Sequence, residues 1–326
     1  MTSSLAAIVM AAGLGTRMRS ERPKHLHPLL GRRLLDWSIA PVLPLRPDPL
    51  VVVCSPGTRG ELVGTLPPGA TLAIQQEPKG TGDAVAAAHQ ALADFDGDVF
   101  VLDGAAPLLT TELLQAILGE HRASEAAVTV LSIEPDEPLP YGRIVRDEGG
   151  SLRAIVEEKD ASPAERAIRE LNTSIYVFRA ADLWPALEAL DPANAQGELY
   201  LTDAVRNLVE AGRGAAVYCA PVAEMGLGVN TRAELAEAAS ELRRRIVEEH
   251  MAAGVAVVDP ATTWIGPDVV IEPEAVIQPF TIVHGKSVIR AGAEVGPHAV
   301  VMDSEVGAGE VVLPFTHLRP VGGAEA

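Results

Sequence analysis

The stretch Leu5-Ala6-Ala7-Ile8-Val9-Met10-Ala11-Ala12-Gly13-Leu14-Gly15-Thr16-Arg17-Met18, followed by Pro23-Lys24, decides the reading of this chain. Leu5–Met10 is a short continuous apolar run, as expected of a strand buried on both faces, and it breaks directly into a Gly-rich turn. Such a turn lets backbone N–H groups approach a phosphate, and the N-terminus of a helix after it favours negative charge. Neither familiar nucleotide loop fits. The dinucleotide pattern needs a third Gly where Met18 stands, and the Walker pattern needs a Gly-Lys-Ser/Thr that is absent. What remains is a phosphate loop with two added cations, Arg17 and Lys24.

Working outward, Leu50–Cys54, Thr71–Ile74 and Val99–Leu102 are further apolar runs bounded by Gly, Pro or Asp, with helical stretches between them. That alternation is the α/β pattern of a mainly parallel sheet covered on both faces. Ala127–Ile133, Leu152–Glu157, Thr173–Phe178 and Ala215–Ala220 extend the strand series. After Thr231 the pattern changes. Leu235, Ala238, Ala239, Leu242 and Ile246 recur at helical spacing, which predicts an amphipathic connecting helix within Glu234–Ala253. Beyond it Ile265, Ile271, Ile277, Val283, Ile289, Val295 and Val301 fall six residues apart. Val306, Val312 and Leu318 resume the period after a slip of one residue. Ordinary strand alternation has a period of two and does not require an aliphatic residue at every sixth site. Hexapeptide repetition predicts a left-handed parallel β-helix, each aliphatic side chain stacking on the coil below. The expected organisation is a Rossmann-like α/β domain over 1–231 with a mostly parallel sheet, a connecting helix over 232–253, and a short β-helix over 254–326.

The chain has 326 residues, 48% hydrophobic and 21% charged, which is globular composition. It contains no uncharged apolar stretch of about 18 residues, so no membrane span is expected. No basic segment precedes the first apolar run, and a cytoplasmic location is expected. Cys54 and Cys219 stand far apart without a C-x-x-C spacing, which argues against a disulfide framework or a structural zinc site. The eight histidines show no ligand spacing beyond His25-x-His27, read here as strand or loop, and Tyr141 and Trp264 read as packing residues. A net charge of −18 repels nucleic acid. Against that background Arg17, Arg19, Arg22, Lys24, Arg32 and Arg33 face one acid, Glu21. A small polyanion is the economical partner for that patch.

The run Ala11 to Met18 with Pro23-Lys24 resembles the signature of sugar-1-phosphate nucleotidylyltransferases. Further blocks are similar to the bacterial bifunctional N-acetylglucosamine-1-phosphate uridylyltransferase/glucosamine-1-phosphate acetyltransferase family, in family order. They are Gln75 to Ala84 (QQEPKGTGDA), Tyr141-Gly142-Arg143, Glu157-Glu158-Lys159-Asp160, Leu171-Asn172-Thr173, Gln196 to Asp203 (QGELYLTD) and Gly228-Val229-Asn230. The resemblance implies UTP and N-acetylglucosamine 1-phosphate as substrates, UDP-N-acetylglucosamine as product, a role in peptidoglycan precursor synthesis, Mg2+ as cofactor, and a homotrimer through the β-helix. It also implies roles. The backbone of Ala11, Ala12 and Gly13, with Gly15, Thr16, Gln75, Gly80 and Thr81, would surround the nucleotide, and Arg17 and Lys24 would hold its phosphates. Gly142, Glu157, Asn172, Tyr200 and Thr202 would hold the sugar, and Asn230 would be a metal ligand.

The chain departs from that pattern in two places. Where the family carries a metal-binding Asp in a Gly-Asp-x-Pro-Leu context, this chain reads Asp103-Gly104-Ala105-Ala106-Pro107-Leu108, so the ligand position is Ala105. A methyl group cannot coordinate a hard cation, and a weakened metal puts roughly 100-fold or more in rate at stake. Asp103, two residues earlier on the same face of a strand, is the candidate substitute. Arg319 matches the first basic residue of the family's acetyltransferase site, whose other residues lie in later coils, and acetyl transfer is therefore not expected. Two rival readings stay open: a nucleotide-sugar-binding relative without turnover, and a nucleotidyltransferase for another sugar phosphate.

Overall fold

The computed structural model describes residues 4–137 and 139–320. These group into two compact units. One takes the chain up to His27 together with Leu34–Thr231, and the other takes Pro28–Arg33 together with the chain from Arg232 on.

The first unit is built on β1 (Leu5–Ala11), β2 (Leu50–Cys54), β3 (Ala70–Ile74), β4 (Asp98–Asp103), β5 (Val128–Ile133), β6 (Arg143–Arg146), β7 (Leu152–Val156), β8 (Leu171–Arg179) and β9 (Ala215–Cys219). Its main sheet runs in the order β9-β5-β8-β4-β1-β2-β3, with β6 and β7 attached beside β8. Within that path β8 alone runs antiparallel to its neighbours. Both faces are covered, which is why the strands read as unbroken apolar runs. Ala6, Ile8 and Met10 of β1 face one core, shared with α2 (Thr81–Ala86) and other helices. Ala7, Val9 and Ala11 face the other, which includes Leu35 and Ile39 of α1 (Leu34–Ile39) and Leu114 and Ile117 of α3 (Thr111–Ser124). The predicted strands stand within one or two residues of their expected ends.

One local expectation fails. The Gly-rich turn opens no α-helix: it leads into a single 3-10 turn, Thr16–Met18, closed by Arg19 in the left-handed region at φ 47°. Three residues sum too few peptide dipoles to act as a macrodipole, so neutralising an anion here falls to loop N–H groups and to side-chain cations.

In the second unit a helix over Arg232–Ala252 precedes strands of two or three residues stacked in three parallel columns. Ile265, Val283, Val301 and Leu318 align in one column, and Ile271, Ile289 and Val306 in another. Val257, Ile277, Val295 and Val312 make the third. This is the hexapeptide-repeat β-helix that the spacing predicts, and the column residues are its core. The one-residue slip falls at Asp303, a left-handed corner at φ 46°, whose carboxylate accepts the Lys286 N–H at 2.8 Å. Outside the core, Phe280, His298 and Phe315 stack as a ladder of rings 4.8 and 4.9 Å apart.

The hairpin Pro28–Leu29/Arg32–Arg33 also belongs to this unit, tied in by an ion pair of 2.5 Å between Arg32 and Asp268. Of the basic patch read from the sequence, Arg32 is engaged with a carboxylate of the second unit, while Arg17 and Lys24 face a cavity of the first. Among the described residues no helix is long and apolar enough to cross a membrane.

Candidate active site

At the C-terminal ends of β1 and β4 the first unit opens a cavity of about 470 Å³. Its lining includes Ala12, Gly13, Gly15, Thr16, Arg17, Lys24, Gln75, Gly80, Thr81, Asp103 and Asn230, so most of the nucleotide-site residues expected from the sequence stand together. Ala11 is not on that lining: it ends β1 with its side chain buried in the core, which leaves its backbone, the part expected to act, at the start of the loop.

The loop conformation explains its glycines. Gly15 has φ 62°, and a Cβ there would stand 2.5 Å from Lys24 Cβ. The absence of a side chain brings the Lys24 backbone against the loop. Lys24 itself is buried, and its Nζ donates to Asn230 Oδ1 at 3.2 Å. His25 beside it is also buried, in a single 3-10 turn, Lys24–Leu26, where the sequence reads strand or loop. Burial and the Lys24 charge lower its pKa to about 3, with only Asp103 opposing, so the imidazole is neutral at pH 7 and Lys24 supplies the fixed charge.

The opposite wall is clamped by backbone. Gly80, at φ 111°, lies so close to the loop before Leu201 that a Cβ would meet Leu199 O at 2.5 Å. Gly82 N–H donates to that same carbonyl, and Leu199 N–H donates to Lys79 O. The Thr81 hydroxyl accepts the Leu201 N–H at the start of α4 (Leu201–Glu210). Gln75, buried at the end of β3, donates from Nε2 to both Gly80 O at 3.0 Å and Asp83 Oδ2 at 2.8 Å.

Two smaller cavities continue the first. One, of about 170 Å³, shares Arg17, Asp103, Ser174 and Asn230 with it and adds Gly142, Glu157 and Asn172. The other, of about 130 Å³, adds Glu157 and Tyr200. A Cβ on Gly142 would lie 3.6 Å from both Asn172 Cβ and Glu157 Oε2, so these three expected sugar residues form one wall. Burial raises the Glu157 pKa, and the Thr202 hydroxyl, which donates to Oε1 at 3.1 Å, partly offsets that. Thr202 lines neither cavity. It stands behind Glu157, in a separate acidic pocket with Asp160 and Asp203, and reaches the wall only through that carboxylate. Burial pushes the Tyr200 phenol up to about 12, and its oxygen accepts from Gln196 Nε2 at 2.7 Å.

At the junction of the cavities Asp103 ends β4 and accepts the Ala105 N–H at 3.0 Å. The Ala105 side chain is fully buried, and its carbonyl accepts Val229 N–H at 2.7 Å, which anchors the loop carrying Asn230. Tyr141 does more than pack: its hydroxyl donates to Gly228 O at 3.0 Å and accepts Gly228 N–H at 3.2 Å. Sequence reasoning passed over Ser174 and Glu198, both of which line these cavities. Ser174 has φ 61° where β8's pairing with β5 shifts register, and the polar Asn-Thr-Ser run inside an apolar strand was the available signal.

A mostly parallel sheet with a Gly-rich loop and two cations, Arg17 and Lys24, at a cavity on its strand ends is the arrangement of a nucleotidyltransferase site. Residues 7–203 match the MobA-like NTP transferase domain. Over 98% of its length the chain is 42% identical to the bifunctional protein GlmU of Corynebacterium efficiens, covering 70% of that protein. It is 43% identical to the bifunctional protein GlmU of Mycobacterium tuberculosis (strain ATCC 25177 / H37Ra), over 97% of this chain and 68% of the relative. Against the same protein of a Geobacillus species it is 41% identical over 96% of its length and 72% of the relative. The chain belongs to the family of bifunctional GlmU proteins, and its first unit is a nucleotidyltransferase.

Proposed function

We propose that the chain transfers the uridylyl group of UTP to N-acetylglucosamine 1-phosphate, giving UDP-N-acetylglucosamine and pyrophosphate. The observation that carries this reading is the continuous cleft from Gln75, past Arg17 and Lys24, to the wall of Gly142, Glu157 and Asn172. Its two cavities, of about 470 and 170 Å³ and sharing Arg17, Asp103, Ser174 and Asn230, give room for base and phosphates on one side and sugar on the other. The sugar phosphate oxygen attacks the α-phosphorus and pyrophosphate leaves on the opposite side, a step governed by alignment and charge neutralisation more than by proton transfer. Arg17 and Lys24 bear on the phosphates. Lys24, buried beside the loop, is already placed at the cleft before charge develops on the leaving group. Glu157, with its raised pKa, offers hydrogen bonds to sugar hydroxyls from the wall it forms with Gly142 and Asn172.

The residues at the cavity junction fit a divalent cation. Asp103 supplies a carboxylate and Asn230 an amide oxygen, both on the cleft, and hard cations such as Mg2+ take a few protein oxygens with phosphates and water completing the shell. When bound, Mg2+ would neutralise triphosphate charge and polarise the α-phosphate. Ala105 offers it nothing, since a buried methyl group carries no donor atom.

Pyrophosphate release from UTP and N-acetylglucosamine 1-phosphate over a magnesium titration, with Ala105→Asp beside the parent chain, tests this. Turnover that rises roughly 100-fold in the variant, or at lower magnesium, supports the reading. Silence in both, with UDP-N-acetylglucosamine still bound, favours the binding protein without turnover that the buried Ala105 keeps open. Neither turnover nor binding overturns the substrate assignment.

A further inference from the structure

The two protons of the Gln75 amide are both committed. Nε2 donates to the Gly80 carbonyl at 3.0 Å and to Asp83 Oδ2 at 2.8 Å, and each of those partners can only accept. The amide cannot be turned end for end without setting its oxygen against a carboxylate and a carbonyl. Its Oε1 is therefore the end left for whatever fills the cavity that Gln75 lines. Asp83 itself sits in the first turn of α2, partly shielded, and the Gly80 backbone is clamped by Leu199. Both acceptors are fixed before any ligand arrives.

We propose that Asp83 is a positioning residue for base selection: it holds the Gln75 carboxamide oxygen toward the bound nucleotide, so that the site takes a base presenting a ring N–H there. Uracil carries that N–H on N3. Cytosine carries a lone pair on the same nitrogen, and the two acceptors would face each other, desolvated and unbonded. This deepens the uridylyl reading and rests on it. A neutral acceptor in place of the carboxylate would hold the amide less firmly, because hydrogen bonds to an ionised group are the stronger ones. An Asn at this position could also donate to the amide oxygen and allow the turned orientation.

A first-turn acid also favours its helix, so a loss of stability alone does not separate positioning from a merely structural role. The ratio of dissociation constants for CTP and UTP does. Equilibrium titration of the full chain with each triphosphate should give a clear preference for UTP. In Asp83→Asn that ratio should narrow about tenfold, UTP weakening more than CTP. Asp83→Ala, which removes the acceptor altogether, should narrow it in the same direction, and thermal unfolding of both variants shows that the titrated protein is folded. An unchanged ratio in a folded variant, whatever its melting temperature, overturns the inference. So does a parent chain that binds CTP and UTP alike, although the proposed transfer reaction then survives. A parent chain that binds no triphosphate removes the proposed function, and the inference with it.

Discussion

His121 lies fully inside the first unit on α3, its Nδ1 sharing a hydrogen bond of 2.9 Å with the Thr129 hydroxyl. Asp98 stands 3.7 Å from its other nitrogen, close enough to suggest an ion pair, but burial outweighs that attraction and lowers the pKa to about 4. Above pH 6.5 the ring is neutral in both folded and unfolded chains and contributes no pH dependence. Between pH 6.5 and about 4 the unfolded chain takes up a proton that the folded one refuses, so stability falls as pH falls. His25, lowered to about 3, adds a second proton to the same limb. Replacing His121 with Gln, which can still bond Thr129, should recover about 2 kcal/mol of the stability lost between pH 6.5 and 4.5. Denaturant unfolding of both proteins at those two pH values measures it, and parallel acid limbs would contradict the assignment. Such shifts are invisible in sequence, where His121 is one polar residue on an amphipathic helix. Gln75, Lys24 and Asn230 were legible because their blocks carry family-like patterns. Ser174 and Glu198 were not, because they enter the cavity through a register shift and a loop clamp made by distant backbone.

At the scale of elements, the glycines of the two loops around the cavity separate into those the fold requires and those it does not. Gly80 must stay at φ 111° with Leu199 O in the space a Cβ would fill. Gly80→Ala should push the loop off Leu199, disturb Gln75's partner, destabilise the chain by about 2 kcal/mol or more, and weaken UTP at least tenfold. Gly13 is different, since a Cβ there meets nothing within 4 Å. Gly13→Ala should leave the melting temperature within about 2 °C of the parent, so that any loss of UTP affinity reports direct contact with nucleotide. Calorimetric scans with UTP titrations check both, and equal melting losses would show that the loop geometry was misread. The strands were legible because a sheet buried on both faces needs continuous apolar runs, and the β-helix because its columns impose a period. The strand Ala256–Val257 escaped notice because it precedes Ile265 by eight residues and so breaks the six-residue spacing. The expected helix after the Gly-rich turn also failed for a local reason: Gly15 and Arg19, both left-handed, bracket a single turn.

At the scale of the whole molecule, the two units have separate cores, and every residue lining the nucleotide cleft belongs to the first. Binding and β-helix stability should therefore respond to different substitutions. Ile277 is fully buried between Val257 and Val295 in its column, where its side chain fills the space between successive coils. Ile277→Ala should leave a cavity there and cost about 2–5 kcal/mol, depending on how far the stacked coils collapse. That loss should lower the unfolding temperature of the second unit, while the dissociation constant for UTP stays within about twofold of the parent. Nucleotide should in turn raise the melting of the first unit by the usual mass-action shift in parent and variant alike. Differential scanning calorimetry with and without UTP, beside direct titration, reads both quantities. A variant that loses UTP affinity in step with its stability would mean that the cleft depends on the β-helix, and that the division of labour between the two cores is false.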